Sequence, residues 1–185
     1  DITVMTYSRT LTNTTLSAND IETSLNGLRF TLMNGANSGE IKSKVLGQFN
    51  IDNLLATAGS LLALNMSFVD VVNLVGQCAA INGRMQILGD ADQVTVVIDF
   101  AHAPDALEKV LQSLRAHLPH QGQLWCVFGC GGDRDAGKRP LMGASAERYA
   151  DHIVLTADNP RSEDNEAIVT AILGGIQSDQ KTHIE

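Results

Sequence analysis

Apolar residues recur along this chain with two different periods, and the change from one to the other divides it. Ile2 to Ser8 and Gly27 to Met33 read as strands, and Asn34-Gly35 supplies the turn into a third strand at Glu40 to Leu46. Strands joined by so short a turn pair antiparallel. From Ile51 the spacing becomes helical, because Ile51, Leu54, Leu55, Ala58, Leu61 and Leu62 share one face of a helix of about four turns. Ser67 then precedes Phe68, Val69, Val71, Val72 and Val75, with Asp70 three residues on, the arrangement of a capped helix start. Gly76 ends that helix.

At Asn82-Gly83 the periodicity stops, which places a hinge between residues 1–82 and 83–185. Beyond it, strand-like and helix-like stretches alternate. Val94 to Ile98, Leu124 to Phe128 and Ile153 to Thr156 are apolar runs of strand length. Between and after them, Leu107, Val110, Leu111, Leu114 and Leu118 mark one helix and Pro140 to Tyr149 a second. Ile168, Ile172 and Leu173 mark a third, stopped by Gly174-Gly175. Fully apolar strands alternating with helices predict an α/β fold: a mostly parallel, Rossmann-like sheet, covered on both faces and joined by right-handed crossovers. At Glu185 a further strand is due.

Composition narrows the function classes. The chain has 185 residues, 44% hydrophobic, 4% aromatic and 18% charged, which describes a globular protein with an aliphatic core. Thirteen Lys and Arg against 21 Asp and Glu leave a net charge of -8, so no basic surface offsets a phosphate backbone, and nucleic acid is excluded as a partner. No run of 18 apolar residues would insert in a membrane, and Asp1 to Thr15 lack an export signal, so a cytoplasmic protein is expected. Cys78, Cys126 and Cys130 are odd in number and lack paired spacing, which predicts reduced, structural thiols and no metal site.

The chemistry gathers at the ends of the three predicted strands of the second half. Asp99-Phe100-Ala101-His102-Ala103-Pro104 follows the first, Gly129-Cys130-Gly131-Gly132-Asp133-Arg134-Asp135 the second, and Asp158-Asn159-Pro160-Arg161 the third. In an open parallel sheet, loops beyond the carboxyl ends of strands converge on a ligand. The middle loop nearly matches a phosphate cradle in Gly132-x4-Gly137-Lys138, but Arg139 replaces the hydroxyl that binds Mg²⁺, and Asp133 and Asp135 repel phosphate. Arg134 offers a planar fork for a carboxylate, flanked by acids able to orient it. Asp158 to Arg161 repeats the theme with a carboxylate, an amide, a rigid proline and a second guanidinium, which suits a zwitterion bearing more than one carboxylate. His102 lies within reach of a ribose, phosphate or acyl group, whereas His117, His120, His152 and His183 carry no assignment.

Six segments follow one another in an order that resembles the Mur ligases: Gly47-Gln48-Phe49-Asn50-Ile51-Asp52-Asn53, Gly83-Arg84-Met85, Asp99 to Leu107, Phe128 to Asp135, Gly137-Lys138-Arg139-Pro140 and Asp158 to Arg161. The likeness runs from about Gly27 to Ile176. It is strongest to the branch that adds meso-diaminopimelate to a UDP-MurNAc-dipeptide in peptidoglycan precursor synthesis.

The resemblance implies that residues 1–82 end a central ATP-binding domain and 83–185 form most of a C-terminal amino-acid-binding domain. By position, Asn50, Asn53, Arg84, Asp99 and His102 resemble the ATP-facing set, while Arg134, Asp158, Asn159, Pro160 and Arg161 resemble the meso-diaminopimelate set. It further implies ATP and Mg²⁺ as cofactors, small-molecule substrates and a monomer. The family's UDP-binding domain, P-loop, carbamylated lysine and Lys-Gly-His-Glu segment have no counterpart here, so no catalytic residue and no activity are expected of this stretch alone. Phe100, Ala103 and Gln86 stand where tyrosine, threonine and glutamate are usual. Alternatives are a lysine-adding or folylpolyglutamate synthetase-like ligase, or a non-catalytic nucleotide-binding module.

Overall fold

The computed structural model describes residues 2, 4–11, 13–89, 94–178 and 182–184. Backbone contacts divide the chain into two compact units, residues 1–99 and 100–185.

The first unit is a sheet backed by two helices. Strands β1 (Tyr7–Ser8), β2 (Leu16–Ser24), β3 (Gly27–Asn34) and β4 (Asn37–Ser43) lie in chain order, with β1 parallel to β2 and the others antiparallel. The turn at Asn34-Gly35 joins β3 to β4 as the pattern predicts, Asn34 pairing with Asn37. Helices α1 (Phe49–Ala63) and α2 (Phe68–Gly76) follow. Leu28, Phe30, Leu32 and Ile41 of the sheet pack on Ile51, Leu54, Leu55, Ala58, Val71 and Val75 of the helices. Ser67 caps α2, since its Oγ accepts from the Asp70 amide and donates to the Asp70 carboxylate.

Two strand boundaries differ from the sequence expectation. Thr3 of the expected strand at Ile2 to Ser8 lies outside the described residues, and of the rest only Tyr7 and Ser8 form β1; β2 is a nine-residue strand that the pattern missed. Only Leu16, Ser17 and Ala18 of β2 are buried, and its register shifts between Asn19 and Glu22, where Asp20 has φ 51°. That bulge interrupts the alternation by which a strand is read from sequence. The third strand begins at Asn37 and ends at Ser43, and Val45 and Leu46 are buried in the chain beyond it.

The run at Val94 to Ile98 was expected to belong to the parallel sheet. Instead β6 (Val96–Ile98) pairs antiparallel with β5 (Gln86–Leu88), as a short hairpin within the first unit. Three paired residues bound by polar turns form a local ladder, which an apolar run alone does not distinguish from a sheet centre.

In the second unit, α3 (Pro104–His117), β7 (Trp125–Phe128), α4 (Lys138–Tyr149), β8 (His152–Leu155), α5 (Asn165–Leu173) and β9 (Thr182–Ile184) alternate. The strands run parallel in the order β7-β8-β9. Each crossover joins adjacent strands, and right-handed crossovers made in one direction place their helices on a single face. Among the described residues, α3, α4 and α5 pack against one face of this sheet. Cys126, Ile153 and Leu155 face Leu107, Leu111, Met142, Ala146, Ile168 and Ile172 of the helices. The residues between them point the other way, with Trp125 52% and Val127 63% exposed. On that open face Trp125 stacks on His152, their ring centroids 4.1 Å apart.

Candidate functional site

The parallel pair β7 and β8 sets two loops side by side. Phe128 pairs with Leu155 at the end of the ladder, and the Thr156 amide donates to the Phe128 carbonyl at 3.1 Å, so both chains leave the sheet at its carboxyl edge together. The Gly132 amide then donates to the Asn159 carbonyl at 2.9 Å. Contact this close requires glycine: a Cβ on Gly129 would stand 2.3 Å from the Thr156 carbonyl oxygen, and one on Gly132 1.8 Å from that of Pro160. The glycines of this loop thus serve its packing against Asp158 to Arg161.

The rest of the near-match to a phosphate cradle is likewise committed elsewhere. Lys138 Nζ donates to the His102 carbonyl at 2.8 Å, and the Gly137 amide donates to Asp135 Oδ1 at 2.9 Å. Arg139 is buried at the start of α4 and gives both terminal nitrogens to Glu163, each at 2.8 Å. That hydrogen bonding is the chief cause that holds the Glu163 carboxyl below its usual range and raises the Arg139 guanidinium; the Asp133 amide adds to the first effect.

The residues predicted to read an amino acid lie on these two loops. Asp158, Asn159 and Arg161 are exposed and Pro160 half-buried. Arg161 has φ 53°, a left-handed backbone costing a residue with a Cβ about 1–2 kcal/mol, and its Nη1 donates to the Gly132 carbonyl. Non-glycine backbone in that region concentrates at ligand sites. Arg134 is exposed, and its guanidinium makes no hydrogen bond or ion pair among the described residues. The flanking acids do not orient it, contrary to expectation. Asp133 instead accepts from the Ser162 hydroxyl at 2.6 Å, and Asp135 from Gly137. Sequence reasoning noted Arg139 only as a departure from a phosphate cradle and missed Glu163 and Ser162, since the partners of all three stand 24 to 30 positions away at no regular spacing.

The residues of the predicted nucleotide set are divided between the units. In the first, Asn50 at the start of α1 donates to the Leu46 carbonyl at 2.7 Å and accepts from Asn53 at 2.7 Å. Arg84 is exposed, and Asp99 accepts from the amide of Met85, which has φ 48°. In the second, exposed His102 turns Nδ1 to the Phe100 carbonyl at 3.0 Å. A carbonyl only accepts, so in this contact Nδ1 is the donor. Among the described residues no cluster of His, Cys, Asp or Glu is arranged to hold a metal ion. No helix among them is long and apolar enough to cross a membrane.

Residues 83–185 match the family described as Mur ligase, glutamate ligase domain. The chain is 49% identical over 162 residues to the UDP-N-acetylmuramoyl-L-alanyl-D-glutamate 2,6-diaminopimelate ligase of Janthinobacterium sp. (strain Marseille), covering 87% of this chain and 32% of that protein. A solved structure of a ligase of the same name is 40% identical with a TM-score of 0.73, over 98% of this chain and 37% of that one. Folylpolyglutamate synthase from Thermotoga maritima has a TM-score of 0.72 at 19% identity, over 92% of this chain and 39% of that one, a likeness of fold alone. The chain spans about a third of the length of the curated relatives it matches.

Proposed function

Because the chain belongs to the Mur ligase family, we propose that it is part of an ATP-dependent amide ligase that adds meso-diaminopimelate to a UDP-linked muramoyl dipeptide. The reading is supported by the loop pair at the β7-β8 edge, on which Arg134, Asp158, Asn159 and Arg161 are all exposed, with Arg161 tied by one nitrogen to the Gly132 carbonyl. Two cations and one anion on touching loops suit the distal end of diaminopimelate. Its carboxylate lies against Arg134 and Arg161, and its ammonium against Asp158. Lysine has no distal carboxylate and leaves a guanidinium without its partner, the kind of loss by which a polar site rejects an analogue.

In the proposed reaction, the dipeptide's terminal carboxylate attacks the γ-phosphorus of ATP and releases ADP. The free amine of the amino acid then displaces phosphate from the acyl phosphate, losing a proton and forming the amide. The residues described here hold and orient the amino acid for that second step; their contribution is proximity.

For ATP, the exposed Asn53 and Arg84 and half-buried Asn50 and Asp99 of the first unit have the donor and acceptor chemistry of base, ribose and phosphate contacts, and exposed His102 of the second unit offers its imidazole to the same kind of ligand. For Mg²⁺, the described residues offer no carboxylate cluster.

The test is phosphate release by the full-length protein with ATP and the UDP-linked dipeptide. We expect it to depend on meso-diaminopimelate and to respond weakly to lysine. Equal stimulation by both, or stimulation by glutamate with a folate acceptor, overturns the reading.

A further inference from the structure

Asp133 and Arg161 lie on the two touching loops with the same left-handed backbone, φ 53° in each. Such a conformation persists in a residue with a Cβ only where its neighbours over-determine it. The Asp133 carboxylate accepts from Ser162 Oγ at 2.6 Å and from the Ser162 amide at 3.3 Å, while its own amide donates to Glu163 Oε1 at 2.6 Å. The two residues that follow Arg161 are therefore both tied to Asp133.

Glu163 is in turn anchored to α4. Its Oε1 accepts from Arg139 Nη2 as well as from Asp133, and its Oε2 accepts from Arg139 Nη1. Arg139 is buried, and its Nε has no hydrogen-bond partner among the described residues, so the Glu163 carboxylate is what neutralises this charge. Both Glu163 oxygens are turned inward and used.

We propose that Glu163 is a positioning residue for the amino-acid site. Resting on the functional reading above, it transmits the fixed direction of Arg139 through Asp133 to the Arg161 turn, and so sets the aim of the guanidinium that reads a distal carboxylate. The geometry also says what breaks the device. In Glu163→Gln an amide NH₂ replaces one oxygen, and either orientation points it at a donor, Arg139 Nη1 or the pair formed by Arg139 Nη2 and the Asp133 amide.

The experiment compares the full-length protein with Glu163→Gln and with Ser162→Ala, which removes the exposed hydroxyl tie to Asp133 and leaves the Arg139–Glu163 pair intact. We expect Glu163→Gln to raise KM for meso-diaminopimelate about tenfold or more, with kcat at saturation and KM for ATP changed less than about twofold. The preference over lysine should fall by a similar factor, and Ser162→Ala should show the same pattern more weakly. A merely structural role would lower all parameters together or none. Unchanged KM for meso-diaminopimelate in either folded variant overturns the proposal. Should Glu163→Gln fail to fold, Ser162→Ala alone decides, a selective rise supporting the clamp and no rise overturning it. An unaltered protein that ignores meso-diaminopimelate sinks the functional reading, and this assignment falls with it.

Discussion

Gly132 lies against Pro160 so closely that a Cβ on the glycine would stand 1.8 Å from the proline's carbonyl oxygen. The obstacle is backbone, which no side-chain rotation relieves. Gly132→Ala must force the loops apart and break the hydrogen bond from the Gly132 amide to the Asn159 carbonyl. We expect a loss of about 1–3 kcal/mol, as for overpacking of a close contact, together with weaker use of meso-diaminopimelate. Urea denaturation and KM measurement on the same preparation check both; an unshifted urea midpoint would show that the loops are not held together as described.

In the proposed function, exposed Arg161 reads a second carboxylate. Arg161→Ala in the full-length protein is expected to reduce the preference for meso-diaminopimelate over lysine by about 10- to 100-fold, the scale of one lost charge-assisted hydrogen bond. The measurement is the ratio of kcat/KM values for the two amino acids. A ratio that stays constant while both values fall counts against a reading role.

Two helix starts differ in one side chain. Ser67 caps α2 through its hydroxyl, whereas Ala103, with the extended backbone of an N-cap, gives α3 no side-chain acceptor. Ser67→Ala should lower stability by about 1 kcal/mol and Ala103→Thr should raise it by a similar amount. Equilibrium urea unfolding reads both changes, and opposite signs are required.

Burial pushes the Cys126 thiol up to about 12 and also raises that of Cys130, while Cys78 is half-exposed. At about pH 8 the Cys126 thiolate is then on the order of one part in ten thousand. Alkylation mapped by mass spectrometry should label Cys78 first and reach Cys126 only on unfolding. Equal rates in the native protein would contradict the buried placement.

The Glu163 carboxyl is held low chiefly by Arg139 and secondarily by the Asp133 amide. A folded value below the unfolded one means that the stabilisation is complete above the ordinary carboxylate range and disappears as pH falls through the folded value. Between about pH 5 and about pH 2, the urea midpoint of the unaltered protein should therefore fall more steeply than that of Glu163→Gln. Parallel curves would remove Glu163 from the acid response.

Local pattern was enough for α1, α2 and the Asn34-Gly35 hairpin, because helical spacing, a serine cap and a turn dipeptide act over a few residues. Asp158 to Arg161 drew notice in the sequence because unusual residue types stand together there, and the structure sets them on a loop at the β7-β8 edge. Strand β2 stayed hidden because a bulge at Asp20 breaks its alternation, and the apolar run at Val96–Ile98 did not disclose an antiparallel partner.

Sequence alone thus determined the helices, most of the strands and which loops carry charge, since these follow from propensity and periodicity within a dozen residues. Only the tertiary structure decided that all three helices of the second unit cover one face, that the glycines pack a loop rather than cradle a phosphate, and that Arg139 belongs to Glu163. Each of these joins groups far apart in the chain, where burial and hydrogen-bond geometry select the partner and spacing along the sequence carries no record of the choice.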